Sequence, residues 1–97
     1  MKLRILKSFR DKLNEQVEYI AKDKPGAARK FKTDILKRIK EIPSMPFACR
    51  RSIFFVREDI RDLIYKGYIV VYKVDETEGI ITVFGFTKYK NETFKSG

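Results

Sequence analysis

The residues best suited to chemistry stand where the last apolar segment of the chain ends, at the basic and aromatic run Lys88, Tyr89 and Lys90. Cations and a phenol at the rim of a sheet can bind a polyanion, and in some proteins such groups cut one. The chain has no histidine and one cysteine, Cys49. It therefore lacks the usual general base near neutral pH, a Cys-His nucleophile pair and most zinc sites. We predict no metal and no cofactor, so any nucleic-acid cutting would fall to Arg, Lys and Tyr side chains.

The first half of the chain is predicted to form a strand and two helices. Alternation over Lys2 to Leu6 predicts a short half-buried strand, and the spacing of apolar residues predicts a helix from about Phe9 to Asp23. Pro25 suits the first turn of a helix but not its interior, so a second helix begins there and an αα-hairpin results. In this second helix one stripe is apolar and the remaining surface is basic: the stripe is Ala28, Phe31, Ile35, Ile39 and Ile42, and the basic residues are Arg29, Lys30, Lys32, Lys37, Arg38 and Lys40.

The second half is predicted to form strands. Ile60 to Tyr65, Tyr68 to Val74 and Ile80 to Thr87 are rich in β-branched and aromatic residues and are separated by turn-like residues, which predicts an antiparallel meander. Ser52 to Val56 is predicted to be a short strand or a loop packed on the core. The fold class is therefore α+β: the N-terminal strand and the meander complete one sheet that packs on the two-helix antiparallel hairpin. We expect a single domain over residues 1–97, with residues 91–97 as a flexible tail.

The net charge of the chain limits the classes of molecule that it is expected to bind. Lys and Arg number 22 against 13 Asp and Glu, which gives a net charge of +9 at pH 7. Such a balance indicates nucleic acid, an acidic protein or an anionic membrane as partner. No apolar run approaches the roughly 20 residues that span a bilayer, and no signal-peptide pattern is present, so we predict a cytoplasmic protein without membrane contact.

The order of these elements, together with particular residues, resembles the RelE/ParE superfamily of bacterial type II toxin-antitoxin toxins. In the hairpin the matching residues are Leu13, Tyr19-Ile20-Ala21, Asp23, Pro25-Gly26-Ala27-Ala28, Phe31 and Ile35. In the strands they are Ile60-Arg61-Asp62-Leu63, Gly67-Tyr68 and Val70-Val71-Tyr72-Lys73-Val74. The resemblance implies a growth-arresting toxin that is neutralised by a cognate antitoxin with an acidic or amphipathic segment. It also implies that operator DNA is contacted only through the antitoxin.

Two target classes occur among the proteins that this chain resembles. RelE-like members are ribosome-dependent endonucleases that cut messenger RNA, and ParE-like members act on DNA gyrase. Aligned on Gly67-Tyr68, the positions that are basic in RelE-like nucleases hold Ile60, Asp62 and Ile69, and a carboxylate at such a position repels phosphate. Arg61, Asp62 and Leu63 instead fit a ParE-like pattern. The chain departs from many ParE-like members at Ile69, where they carry arginine, and near its end, where they carry histidine and arginine.

Three functional hypotheses follow. The favoured one is ParE-like inhibition of gyrase by binding, with target contacts at Arg61, Lys73, Lys88, Tyr89 and Lys90. The second is a metal-independent, ribosome-dependent endoribonuclease with Lys88, Tyr89, Lys90 and Arg57 as catalytic candidates. The third is an inactive antitoxin-binding module. Arg61 has an equally plausible structural role, an ion pair with Glu58, Asp59 or Asp62.

Overall fold

Two helices cover one face of a five-stranded mixed sheet in this computed structural model, which describes residues 1–88. Tyr89, Lys90 and the tail predicted at residues 91–97 lie outside the described residues. The elements are β1 (Lys2–Ile5), α1 (Lys7–Ala21), α2 (Pro25–Lys40), a 3₁₀ turn (Ile42–Ser44), β2 (Arg50–Arg51), β3 (Ile60–Tyr65), β4 (Tyr68–Asp75) and β5 (Ile80–Lys88). The predicted α+β fold is confirmed.

The strands lie in the order β1-β5-β4-β3-β2. The meander β3-β4-β5 is antiparallel, and β1 adds to β5 in parallel. The turn from β3 to β4 has positive φ at both central residues, 45° at Lys66 and 83° at Gly67, as the hairpin turn that matches strand twist requires. A bulge separates the pairs Val71↔Gly85 and Tyr72↔Val83. A Cβ at Gly85 would lie 3.0 Å from that of Val71, so the two strands meet closely there.

The main core lies between the sheet and the helices. All five residues of the predicted apolar stripe are buried, although α2 ends at Lys40 and the last of them, Ile42, lies in the 3₁₀ turn. Phe9 and Leu13 of α1 are buried too. They meet alternate residues of the strands, among them Leu63, Tyr72 and Val83. The opposite face of the sheet carries a smaller cluster of Ile60, Ile69 and Val71, against which Phe84 packs. Since strand residues alternate between the two faces, β3 places Arg61 on the helix side and Asp62 on the outer side.

One expectation for the strands was wrong. Ser52 to Val56 was predicted to be a strand or a core-packed loop, but the strand lies earlier, at Arg50–Arg51, paired with Asp62 and Arg61 of β3. The apolar residues that follow belong to an exposed loop, in which Val56 is 96% exposed. The physical reason is that Asp62, a buried carboxylate, draws the backbone of this segment toward β3, as described below, and leaves its apolar side chains outside.

Candidate target-binding site

The predicted target contacts lie in separate parts of the sheet. Lys88 ends β5 and pairs with Tyr68, whereas Lys73 pairs with Ile60 at the other end of β4. Tyr68 and Lys73 are five positions apart along β4, which is about 17 Å at the rise of an extended strand. Arg61 lies on the helix-side face near the Lys73 end. The structure therefore does not bring Lys73 and Lys88 into one compact site.

Arg61 is held by protein groups and not presented to solvent. Its Nε donates to the carbonyl oxygen of Glu58 at 3.0 Å, its Nη1 to the carbonyl oxygen of Cys49 at 3.1 Å, and its Nη2 to Oε1 of Glu58 at 3.3 Å. The guanidinium carbon lies 4.8 Å from the ring centroid of Phe47, within cation–π range. Only 13% of the side chain is exposed. The ion pair anticipated for Arg61 is therefore present, and its partner is Glu58.

Asp62, on the other face of β3, forms hydrogen bonds with the loop between β2 and β3. Its side chain is fully buried, and Oδ2 accepts hydrogen bonds from Nη2 of Arg50 at 3.2 Å and from the backbone N–H of Ile53 at 3.1 Å. Within the described residues its Oδ1 receives no hydrogen bond. The adjacent Arg61 and Asp62, which carried the ParE-like resemblance, thus share one structural task, since both tie the loop between β2 and β3 to the sheet.

Arg57 lies in this loop and is engaged by a carboxylate. Its Nε and Nη2 donate to the two carboxylate oxygens of Asp59 at 2.8 and 2.6 Å. The hydrogen bond from Arg57 lowers the pKa of Asp59, and the same bond raises the pKa of Arg57. The pair stands just before β3 begins, at the end of the sheet away from Lys88. Two of the catalytic candidates, Arg57 and Lys88, are therefore not assembled into one centre.

Lys88 lies at an open cleft of about 380 Å³ between α1 and the end of β5. Lys12 and Tyr19 of α1 and Tyr68 of β4 share the lining of this cleft. Tyr68 stacks on Phe86, with ring centroids 5.4 Å apart and planes at 6°, and burial raises the pKa of its phenol. The cleft thus offers two ammonium groups, from Lys12 and Lys88, together with phenol hydroxyls and one carboxylate, Glu15, and its hydroxyl and ammonium donors suit hydrogen-bond acceptors and acidic groups. We call this the Lys88 cleft.

Sequence reasoning missed the contribution of α1 to this cleft. Lys12, Glu15, Gln16 and Tyr19 all line it, and their spacing places them on one helix face. That face was readable from the sequence, but its meeting with Lys88 depends on how α1 crosses β5. Tyr68 and Tyr72 of β4 pack with the core: Tyr68 is partly buried against it, and Tyr72 is fully buried and donates to the carbonyl oxygen of Pro46 at 2.7 Å.

A second depression lies over the helices. It encloses about 430 Å³, with Ile5, Leu13 and Leu36 among its apolar lining residues, and Arg10, Lys32 and Lys40 as its cations. Apolar side chains beside cations suit an amphipathic acidic segment. We call it the hairpin groove.

Residues 1–88 hold neither a metal-binding cluster nor a membrane-spanning helix. Residues 1–88 contain no cluster of three or more His, Cys, Asp or Glu side chains arranged to hold a metal ion. Neither helix in this part of the chain has the length and apolar character that crossing a membrane requires.

Comparison with known proteins identifies the family. A comparison with curated protein sequences finds no significant match. A family model described as the ParE toxin of the type II toxin-antitoxin system parDE matches residues 3–88, which covers β1 through β5. The chain therefore belongs to the ParE toxin family of type II toxin-antitoxin systems, the family whose activity is inhibition of gyrase.

Proposed function

We propose that this toxin arrests growth by binding DNA gyrase, and that the Lys88 cleft supplies the polar part of the contact. The observation that carries the proposal is the open cleft at the end of β5, where Lys12 and Lys88 stand beside tyrosine side chains. Neither lysine forms an ion pair with another of the residues 1–88. Such groups are available to carboxylates of a partner protein, and they contribute to the rate and specificity of its association.

The arrangement of the catalytic candidates favours binding over cutting. Metal-free cleavage of RNA requires a base, an acid and cations around one phosphate. Arg57 is bonded to Asp59 at the far end of the sheet, and Lys88 is the only catalytic candidate that the described residues include at the cleft. Tyr89 and Lys90, which follow it in sequence, lie outside them.

The antitoxin is proposed to occupy the hairpin groove. Its acidic or amphipathic segment would place apolar side chains against Leu13 and Leu36 and carboxylates beside Arg10, Lys32 and Lys40. Combined with the net charge of +9, this predicts nanomolar or tighter binding with an association rate that falls as salt rises. The groove and the Lys88 cleft share no lining residue.

The test compares charge reversals at the two ends of β5. The double variant Lys12→Glu, Lys88→Glu is expected to raise the concentration of toxin that half-inhibits gyrase supercoiling about tenfold or more, because two attractive charges become repulsive. Lys2→Glu is the matched control, since Lys2 is exposed and pairs with Ile80 at the opposite end of β5.

Four results would contradict the proposal. Unchanged supercoiling with wild-type toxin would exclude gyrase as the target, and codon-phased cleavage of message on translating ribosomes would establish the nuclease instead. Expression without any growth arrest would leave an inactive antitoxin-binding module. A double variant as potent as wild type would remove the Lys88 cleft from the contact.

A further inference from the structure

Four consecutive apolar residues are exposed in the loop between β2 and β3. The exposed fractions are 61% for Ile53, 51% for Phe54, 41% for Phe55 and 96% for Val56. Contiguous exposed apolar surface of this kind marks interaction sites in soluble proteins. We call these four residues the apolar knob.

The backbone of the knob is fixed at its start. The buried carboxylate of Asp62 accepts the N–H of Ile53 at 3.1 Å, and Oγ of Ser52 accepts the N–H of Phe54 at 3.2 Å. Ser52 is itself buried, and its N–H donates to the carbonyl oxygen of Ile60 at 2.9 Å. These bonds hold the first half of the loop to β3.

The two flanks of the knob are held by one side chain. Arg61 donates to the carbonyl oxygens of Cys49 and Glu58, which stand on either side of it. Within the knob, the ring of Phe55 meets that of Phe84 edge-on, with centroids 5.9 Å apart and planes at 72°. The exposed side chains are therefore presented by an ordered loop, which lowers the entropy lost on binding.

Every arginine around the knob is bonded to a carboxylate. Arg50 pairs with Asp62 at 3.2 Å, Arg51 with Glu58 at 3.2 Å, and Arg57 with Asp59 at 2.6 Å. Arg61 shares Glu58 with Arg51, so four arginines near the knob are engaged by three carboxylates. Phosphate contacts dominate nucleic-acid affinity, so this surface is poorly suited to DNA or RNA and suits an apolar protein surface.

The shape of the knob selects among protein partners. Side chains that protrude as far as Val56 need a concave receptor, which a folded domain provides. A flexible antitoxin segment supplies its own protruding side chains and fits a depression such as the hairpin groove. We propose that the apolar knob inserts into an apolar pocket on the folded target protein, as a second contact separate from the Lys88 cleft. This inference rests on the proposed inhibition of a protein target.

The experiment removes the side chains of Phe54 and Val56, because Phe55 contacts Phe84 of the sheet and the backbone N–H of Ile53 is bonded to Asp62. Phe54→Ser with Val56→Ser is expected to weaken growth arrest at matched expression, and binding to purified gyrase tetramer, by about tenfold or more, since both substitutions remove apolar surface that the contact would bury. The melting temperature should stay at the wild-type value, because both residues are exposed. Met45→Ser, which removes a side chain 67% exposed and outside the knob, is the matched control.

Other results of this experiment would overturn the inference or assign the knob to a different partner. Unchanged growth arrest in the double variant would overturn the inference. So would an equal loss of affinity for the cognate antitoxin copurified from co-expression, which would assign the knob to that partner. Wild-type toxin that dimerises through the knob in sedimentation would assign it to a second copy. If wild type arrests growth without touching gyrase, the proposed target fails, while growth arrest by the double variant still tests the knob.

Discussion

At the end of the sheet where β3 begins, every arginine near the loop has a carboxylate partner, and the exposed side chains are apolar. At the end where β5 stops, the aromatic rings of Tyr68 and Phe86 are packed together, while Lys12 and Lys88 form no ion pair with residues 1–88. One end therefore pairs its charges and exposes apolar side chains, whereas the other end packs its aromatic rings and exposes cations that are unpaired within the part of the chain that the structure describes.

The two arrangements suit different stages of binding. Exposed cations attract an acidic partner over a distance and raise the association rate, an effect that salt screens. An ordered apolar loop acts only on contact and mainly lengthens the life of the complex. A toxin that must find and then hold a large protein target benefits from both, and the sheet keeps them apart.

The largest expected change in stability follows from removing the carboxylate of Asp62, which binds the loop between β2 and β3. Asp62→Ala leaves the N–H of Ile53 without its acceptor and removes a buried ion-pair partner of Arg50, so we expect the free energy of unfolding to fall by about 2–4 kcal/mol. Urea denaturation measures the change. Lys88→Ala at the other end should leave the midpoint at the wild-type value. A loss of stability below 0.5 kcal/mol for Asp62→Ala would be roughly the scatter of ordinary surface substitutions. It would mean that the loop at the β3 end is no more firmly bonded to the sheet than the Lys88 end.

The next effect tests whether Arg61 acts through the loop or on the target. Arg61→Lys keeps the charge but cannot reach two carbonyl oxygens and Glu58 together, so we expect a loss of about 1–2 kcal/mol in stability. Limited trypsin digestion should cut faster after Arg51 and Arg57, because the loop is released from β3. Inhibitory potency should fall in proportion to this loosening.

A direct contact would give a different pattern. If Arg61→Lys kept wild-type stability and trypsin resistance but lost inhibition, Arg61 would be a target-binding residue, as one sequence-based hypothesis held. Lys73→Ala, on the outer face of the same end of the sheet, is the companion variant. It should leave the trypsin pattern unchanged, since no hydrogen bond of the loop involves its side chain among the described residues.

The sequence predicted the fold well because periodicity decides where helices and strands lie. The stripe of α2 and the strands β3, β4 and β5 depend on local patterns, and burial confirmed them. The strand Arg50–Arg51 was missed because two arginines carry no strand pattern, and its pairing is fixed by the side chain of Asp62 twelve residues later.

The candidate site was harder to predict for the same reason. Ile53 to Val56 has the apolar composition of a core segment. Its exposure results from the hydrogen bonds that Asp62 and Arg61 make to the loop, and no pattern within the segment itself predicts them. Arg61 was correctly given two possible roles, since the carbonyl oxygens it binds become neighbours only when the loop closes. The Lys88 cleft depends on α1 meeting β5, which no local spacing specifies.

The smallest expected effect concerns pH and separates the two ends once more. Hydrogen bonding to Arg57 lowers the pKa of Asp59, so this carboxylate contributes stability above its unfolded value of about 3.9, and the contribution is lost as pH falls through the lower folded value. Burial raises the pKa of Tyr68, so its contribution is present below the unfolded value of about 10 and is lost as pH rises through the folded value. Loss of the Asp59 contribution should therefore weaken the β3 end in acid, and loss of the Tyr68 contribution should weaken the β5 end in alkali. Burial also raises the pKa of Tyr72, which pairs with Arg61 near the start of β3, so part of the alkaline response comes from that end.

Asp59→Asn should reduce the acid side of the pH dependence of stability and leave the alkaline side unchanged, as measured by thermal melting across pH. Tyr68→Phe should leave the acid side unchanged and reduce only part of the alkaline side, because Tyr72 also contributes there. Asp34, whose pKa is lowered by its hydrogen bond with Lys30, also contributes to the acid side. Asp59→Asn therefore removes only part of the acid dependence, and Asp34→Asn should remove a further part independently. If the effects of the two substitutions on stability in acid were not additive, Asp34 of α2 and Asp59 of the loop would be energetically coupled. The β3 end would then not lose stability in acid independently of α2.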